Sequence, residues 1–296
     1  MRILLIIIFC VLPSFASASD MKAIFFQPRE SDIAIPAENW PTIFSLAKKK
    51  GFNTVVIQWT GFGDAFSSPK NQAWLRDRML EVSQAELKLI VGLGSSPDIF
   101  TRLKQPPSIV GSYFRKMNET NLVLAQHWVM TLPKDAISAW YLPLEIDDRQ
   151  WRELPARAEL IKYLKRQVLD LNRVSPLPVY ASSFFVGNMT PERYAAMLES
   201  IEAQSKVRFW IQDGAGTNKL MTSERDSYIG AITNCEAYAV SGMIYELFKQ
   251  TQVDSDFAAK PLSPLEMSKA LQQRGPCQGD SLFFALNYLI DFSNPK

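Results

Sequence analysis

Hydrophobic residues follow two alternating patterns along most of this chain. Short runs rich in β-branched and aromatic residues give way to longer segments in which apolar residues recur at helical spacing. The short runs predict strands at 22–27, 54–59, 88–93, 138–145, 178–184, 207–212, 239–246 and 281–286. Nearly continuous hydrophobicity in runs of this length is typical of parallel strands buried on both faces. The pattern therefore predicts parallel strands separated by helices.

Eight strands alternating with helices predict an α/β fold of the (β/α)8 TIM-barrel type. The helical segments are 41–51, 73–87, 108–132, 153–172, 190–204, 226–234 and 263–274. Right-handed crossovers favour the barrel, although the pattern alone leaves a doubly wound sheet open. About ten residues follow the eighth strand. We therefore expect the last helix to be missing or reduced to a stub, and the barrel to be slightly open there.

The first residues have the pattern of a secretory signal peptide. Arg2 precedes an apolar stretch at 3–12, and the small residues Ala16 to Ala18 follow. We expect cleavage after Ala18, so that residues 1–18 are the signal peptide and 19–296 form a single barrel domain. The apolar stretch is shorter than the roughly 20 residues of a membrane span, which argues against stable membrane insertion. The expected location is periplasmic or secreted.

Cysteine content agrees with an oxidising compartment. Removing the signal peptide removes Cys10 and leaves Cys235 and Cys277. An even number of cysteines in an exported protein predicts a disulfide between them, the alternative being two unpaired buried thiols.

Charge and histidine content exclude several functions. The chain has 32 basic and 30 acidic residues, a balance that argues against a nucleic-acid-binding protein. His127 is the sole histidine and lies in a predicted helix. A Ser-His-Asp triad and a multi-histidine metal site are therefore excluded, and we predict neither a metal nor a cofactor.

Two glutamates, Glu145 and Glu246, end the fourth and seventh predicted strands. The carboxyl ends of barrel strands form the face where such barrels carry out chemistry. A pair of carboxyl groups about 5 to 5.5 Å apart could hydrolyse a glycosidic bond with retention. The alternatives are that Glu145 caps a helix or pairs with Arg149 or Arg152, and that Glu246 is a buried acid paired within the barrel.

Amides, acids and tryptophans accompany these glutamates near the predicted mouth of the barrel. Sugars require hydrogen-bonding groups for their hydroxyls and an aromatic surface for their C–H faces. The candidate substrate-binding residues are Gln27, Trp59, Trp140, Asp147, Gln212 and Asp213. The expected ligand is an oligo- or polysaccharide.

The segments WYLPLEID at 140–147 and IQDGAG at 211–216 resemble a bacterial domain-of-unknown-function family of glycoside-hydrolase-like barrel proteins. The resemblance covers essentially all of residues 19–296. It extends to an enterobacterial periplasmic member associated with exopolysaccharide production, which implies exopolysaccharide synthesis or export proteins as partners. Similarity to the large clan of retaining glycosidases implies that Glu145 is the acid/base and Glu246 the nucleophile.

One residue departs from the pattern of that clan, which has an asparagine before the strand-four glutamate. Here Leu144 occupies that position. Two hypotheses for the mouth therefore stand: a retaining glycoside hydrolase acting on a bacterial polysaccharide, or a periplasmic glycan-binding accessory protein that does not cut. A third hypothesis is an adaptor that binds partners through its outer helices and does not use the mouth.

Overall fold

A computed structural model describes residues 21–233, 235, 240–252 and 257–296. In this part of the chain eight parallel strands form a closed barrel. The strands are β1 (Lys22–Phe26), β2 (Thr54–Ile57), β3 (Lys88–Gly92), β4 (Ile137–Asp147), β5 (Val179–Phe184), β6 (Arg208–Gln212), β7 (Val240–Glu246) and β8 (Asp280–Phe284). The predicted signal peptide, Asn234 and Ala239 lie outside the described residues.

Helices connect the strands as the alternating pattern predicts. They are α1 (Asn39–Lys49), α2 (Pro69–Gln84), α3 (Ile99–Leu103), α4 (Pro107–Thr131), α5 (Leu154–Val174), α6 (Pro191–Ser205), α7 (Thr222–Ile232), α8 (Pro264–Ala270) and α9 (Leu286–Leu289). The start of α6 illustrates the local chemistry. Thr190 accepts a hydrogen bond from the backbone of Arg193, and Pro191 occupies the first helical position.

The ring is closed, so the predicted TIM barrel is confirmed and the doubly wound alternative is excluded. Each strand pairs with the next, and β1 pairs with β8 through Lys22 and Ser281. The expectation of an opening beside β8 was wrong. The last helix is reduced to the four residues of α9. Phe292 supplies apolar contact in place of a longer helix, because its ring packs 5.2 Å from that of Trp40.

Alternation along the strands separates two layers of core. Outward-facing residues pack beneath the helices, whereas inward-facing residues fill the barrel. The inner layer consists of Ala23, Phe25, Val56, Ile90, Ala139, Tyr141, Tyr180, Trp210, Ile244, Leu282 and Ala285. The barrel interior below the mouth is therefore packed rather than open.

The predicted disulfide is present between Cys235 and Cys277, which are 42 positions apart. It connects the segment after α7 to the short 3-10 turn Pro276–Gln278 before β8. Among the described residues, no helix is both long enough and apolar enough to cross a membrane.

Candidate functional site

Glu145 faces the mouth of the barrel because of its position in β4. Ala139 and Tyr141 of the same strand belong to the inner layer, whereas Leu144 and Ile146 pack outward. The pairing of β4 with β5 shifts register between Leu142 and Glu145, a bulge of the kind that re-aims side chains. The amide Nε2 of Gln212 donates a hydrogen bond to Oε1 of Glu145 at 3.3 Å. Glu145 and Gln212 therefore meet at the ends of β4 and β6.

Glu246 lies at the end of β7 and is held by a backbone loop. Its Oε2 accepts hydrogen bonds from the N–H of Gly216 at 2.6 Å and of Thr217 at 3.2 Å. A Cβ at position 216 would lie 2.6 Å from the carbonyl oxygen of Phe248, so glycine permits this close approach. The loop therefore fixes the orientation of the carboxyl group of Glu246, a residue that is 5% exposed.

Asp213 lies at the start of the same loop and binds its backbone. Its Oδ1 accepts hydrogen bonds from the N–H of Ala215 at 3.2 Å and of Glu246 at 3.3 Å. We define residues 213–217 as the acid-bound loop, because the carboxyl groups of Asp213 and Glu246 both bind its backbone. The carboxyl group of Asp213 is therefore held by the backbone of Ala215 and Glu246.

The electrostatic environment raises the pKa values of all three carboxyl groups. Burial raises the pKa of Glu145, and the hydrogen bond from Gln212 opposes part of that rise. Burial raises the pKa of Asp213 to about 6. Burial, followed by the charge of Asp213, raises the pKa of Glu246 to about 8, and the Glu145 charge adds to this rise. Perturbation by both burial and neighbouring acids is common at functional sites.

Two other predicted residues lie at the same end of the barrel. Gln27 follows β1 directly and is partly exposed. Trp59 follows β2, donates from Nε1 to the carbonyl of Pro28 at 3.0 Å, and stacks on Phe62 with ring centroids 4.5 Å apart. The structure therefore brings Gln27 and Trp59 to the β1 and β2 side of the mouth.

Trp140 and Asp147 are placed differently from expectation. Trp140 is fully buried in the outer core under the helices, so its ring does not line the mouth. This corrects its predicted role in sugar stacking: as the neighbour of inward-facing Tyr141 it faces the opposite side of the strand. Oδ1 of Asp147 accepts hydrogen bonds from the N–H groups of Arg149 and Gln150. Asp147 therefore organises the turn after β4.

Gln58 is a polar residue at the mouth that the sequence interpretation missed. It follows β2 two positions after inward-facing Val56 and is 7% exposed. Its Oε1 is buried without a hydrogen-bond partner in the described part of the chain. The two-residue periodicity of strands could have identified Gln58, because it continues the inward-facing series of Val56.

Among the described residues, no group of three or more histidine, cysteine, aspartate or glutamate side chains could hold a metal ion. The arrangement that remains is a pair of glutamates, Glu145 and Glu246, with an amide beside the first and a backbone cradle around the second. Such an arrangement can donate a proton, accept a proton or bind hydroxyl groups.

Comparison with solved structures finds similar barrels in several proteins. One is described as a "putative alpha-L-fucosidase" from Bacteroides thetaiotaomicron, with a TM-score of 0.66 and 14% identity over 90% of this chain and 85% of that chain. Another is the catalytic domain of a β-amylase from Paenibacillus polymyxa, with a TM-score of 0.58 and 8% identity over 93% and 95% of the two chains. At these identities the likeness supports the fold alone.

Comparison of sequences identifies a relative and a family. The uncharacterized protein YbcH of Escherichia coli strain K12 is 38% identical over 270 residues, which cover 91% of this chain and 90% of the relative. A family model described as a domain of unknown function, DUF4434, matches residues 21–291. The chain therefore belongs to the DUF4434 family.

Proposed function

We propose that the protein is a retaining glycoside hydrolase that acts on a bacterial polysaccharide or exopolysaccharide. The observation that supports this proposal is that Glu145, near the carboxyl end of β4, and Glu246, at the end of β7, lie at the same end of a closed barrel, with Gln212 hydrogen-bonded to the first and the acid-bound loop to the second. In barrel glycosidases, pairs of carboxyl groups at this face hydrolyse the glycosidic bond. The barrels of a β-amylase and of a "putative alpha-L-fucosidase" lend support at the level of the fold.

In this proposal Glu145 is the general acid/base and Glu246 the nucleophile. Burial raises the pKa of Glu145, as protonation of a leaving oxygen requires. The backbone cradle holds Glu246 in one orientation, which suits attack on an anomeric carbon. Burial and the charge of Asp213 raise the pKa of Glu246, however, and so disfavour the ionised, nucleophilic form in the free protein. The two roles are therefore tested separately below.

The first experiment measures reducing-end release from a panel of bacterial exopolysaccharides. We expect release by wild type and loss of at least 100-fold in Glu145→Gln and Glu246→Gln, since each substitution removes a titratable group from the pair. Glu192→Gln, on the first turn of α6, is the matched control and should retain wild-type activity. Wild-type activity in either mouth variant would contradict the role of that glutamate.

Azide rescue distinguishes the roles of the two glutamates. With an activated aryl glycoside that the wild type cleaves, Glu246→Ala plus azide should give a glycosyl azide of inverted configuration, because azide replaces the missing nucleophile. Glu145→Ala plus azide should give the retained configuration, because azide attacks the covalent intermediate. The opposite stereochemistry in the two variants would exchange the roles.

A second candidate function is glycan binding without cleavage, as an accessory protein of exopolysaccharide synthesis or export. It is favoured by the packing around Glu246, which is 5% exposed and whose carboxyl group is bound by the acid-bound loop. Phe25, Tyr141 and Trp210 also fill the barrel beneath the mouth. Glycan binding by wild type and by Glu246→Gln, with no release by wild type, would select this function.

We also propose that residues 1–18 are a signal peptide and that the protein acts in the periplasm or outside the cell. The disulfide between Cys235 and Cys277 is consistent with an oxidising compartment. Cell fractionation followed by N-terminal sequencing should find the mature chain in the periplasm or the medium, beginning at Ser19. A product in the cytoplasm that still begins at Met1 would contradict this proposal.

A further inference from the structure

A cavity of about 460 Å³ lies on the outer side of the barrel, away from the barrel axis. We call it the side cavity. Met243 and Tyr245 of β7, Ile229 of α7 and Ala270 of α8 form much of its wall. Its volume falls within the range of about 300 to 1,000 Å³ that is typical of small-ligand sites.

The side cavity becomes more buried toward the proposed catalytic residue. Asp226, Lys249 and Gln273 are exposed at the rim, whereas Met243 is 2% and Glu246 5% exposed. Glu246 belongs to the mouth by its position at the end of β7, yet it also lines this cavity. Glu246 therefore lies between the mouth of the barrel and the side cavity.

The charges around the side cavity disfavour an anionic ligand. Nη2 of Arg225 lies 3.6 Å from Oδ1 of Asp226, and Lys249 pairs with Glu266. Asp213 and Glu246 add two further carboxyl groups, so four acids face two cations in the lining of the cavity. A phosphate or uronate would approach this excess of acids, whereas Nε of Arg225, which is buried without a hydrogen-bond partner among the described residues, can donate to a neutral hydroxyl. A neutral polyhydroxylated ligand could instead use the carboxyl and amide groups as hydrogen-bond partners.

We propose that the side cavity binds one neutral sugar unit, as a subsite next to the point of cleavage. Hydroxyl groups would contact Asp213, Glu246 and Gln273, and the C–H face would pack on Ile229 and Met243. This inference rests on the proposed function, because the cavity is a subsite of the enzyme only if Glu246 takes part in cleavage. Binding of a neutral sugar in the cavity can be tested without any cleavage.

The experiment is a saturation-transfer NMR titration of the full mature protein with neutral cellobiose, maltose and N,N′-diacetylchitobiose, and with anionic glucuronic acid. Wild type should bind at least one neutral disaccharide and show no binding of glucuronic acid. The tryptophan side chain in Ala270→Trp should fill the cavity, so the affinity of this variant for the neutral disaccharide should be at least tenfold lower than that of wild type. Ser268→Trp is the matched control: it lies on the same helix, is exposed and does not line the cavity, so affinity should be unchanged.

A second variant guards against misfolding of Ala270→Trp. Gln273→Ala removes one exposed amide at the rim and should weaken the neutral sugar several-fold while the thermal melt is unchanged. Absence of neutral-sugar binding to wild type, preferential binding of glucuronic acid, or equal affinity in all variants would overturn the inference. Cavity-dependent binding without polysaccharide cleavage would retain the sugar site and reject the hydrolase proposal. If the protein cleaves polysaccharide, binds no neutral disaccharide and is unaffected by Ala270→Trp, the hydrolase proposal is retained and the sugar site is rejected.

Discussion

At the scale of single residues, Asp213 and Glu246 act on each other through both charge and backbone. Oδ1 of Asp213 accepts the N–H of Glu246, and the Asp213 charge contributes to the raised pKa of Glu246. A buried carboxyl beside a second acid retains its proton to higher pH, because two nearby negative charges repel. Asp213 was predicted to bind substrate, and these contacts indicate that it also controls the protonation of Glu246.

Asp213→Asn should lower the pKa of Glu246 below its wild-type value of about 8. The substitution removes the neighbouring negative charge, while the amide oxygen can still accept the N–H groups of Ala215 and Glu246. A ¹³C carboxyl NMR titration of glutamate-labelled protein measures this shift. Asp226→Asn is the control, because Asp226 is exposed and does not contribute to the shift of Glu246. An unchanged or higher pKa in Asp213→Asn would contradict the prediction.

Asp148 is fully buried and binds the loop that follows β5. Its carboxylate accepts hydrogen bonds from the backbone N–H groups of Val186, Asn188 and Met189, and from the Asn188 side chain. Asp148→Ala leaves these donors without an acceptor and should lower the free energy of unfolding by about 3 kcal/mol. Urea denaturation measures the loss. Asp77→Ala, at an exposed position of α2, should change stability by less than about 0.5 kcal/mol.

Sequence patterns located the candidate glutamates but could not supply their surroundings. An acid after an apolar run indicates a strand end; Glu246 is the last residue of β7, whereas β4 continues two residues past Glu145 to Asp147. The orientation of Trp140 depends on which side of the strand faces the barrel axis, and a strand buried on both sides gives no alternation from which to read this. The cradle around Glu246 depends on contacts 30 residues apart, which local patterns do not encode.

At the scale of elements, two glycines test how closely strands and helices pack. A Cβ on Gly92 of β3 would lie 2.2 Å from the carbonyl oxygen of Gln58, whereas a Cβ on Gly230 of α7 would meet nothing within 4 Å. Gly92→Ala should therefore lower the free energy of unfolding by about 3 kcal/mol. Gly230→Ala should raise it by about 0.5 to 1 kcal/mol, since alanine favours the helix. Chemical denaturation of both variants measures the contrast, and a similar effect of the two would contradict it.

Element order was predictable because strands and helices repeat a simple pattern, but element ends were less so. Helix α2 begins at Pro69, four positions before the predicted start, because Ser68 caps it by accepting a hydrogen bond from the backbone of Asn71. That cap precedes the first strongly apolar position of the helix, so hydrophobic spacing did not reveal it. The two-residue strands Gly61–Phe62 and Gly94–Ser95 were also too short to leave a periodic signal.

At the scale of the whole molecule, the Cys235–Cys277 disulfide connects the chain across β7. A loop of 42 residues should contribute about 4 kcal/mol through the restricted unfolded chain. Reduction, or the double variant Cys235→Ser/Cys277→Ser, should lower the urea midpoint correspondingly. Reductant should have no further effect on the double variant. Equal stability of the oxidised and reduced proteins would show that the covalent link adds nothing to the folded state.

The pairing of β1 with β8 also determines the order in which the molecule can be assembled. Lys22 and Ser281 are neighbours in the ring but are separated by most of the polypeptide. β1 can pair with β2 early, but it cannot pair with β8 until almost the whole chain is present. Until then β1 presents one unpaired edge, and an unpaired edge is a site for wrong association. Pairing with β8 removes that edge and closes the ring.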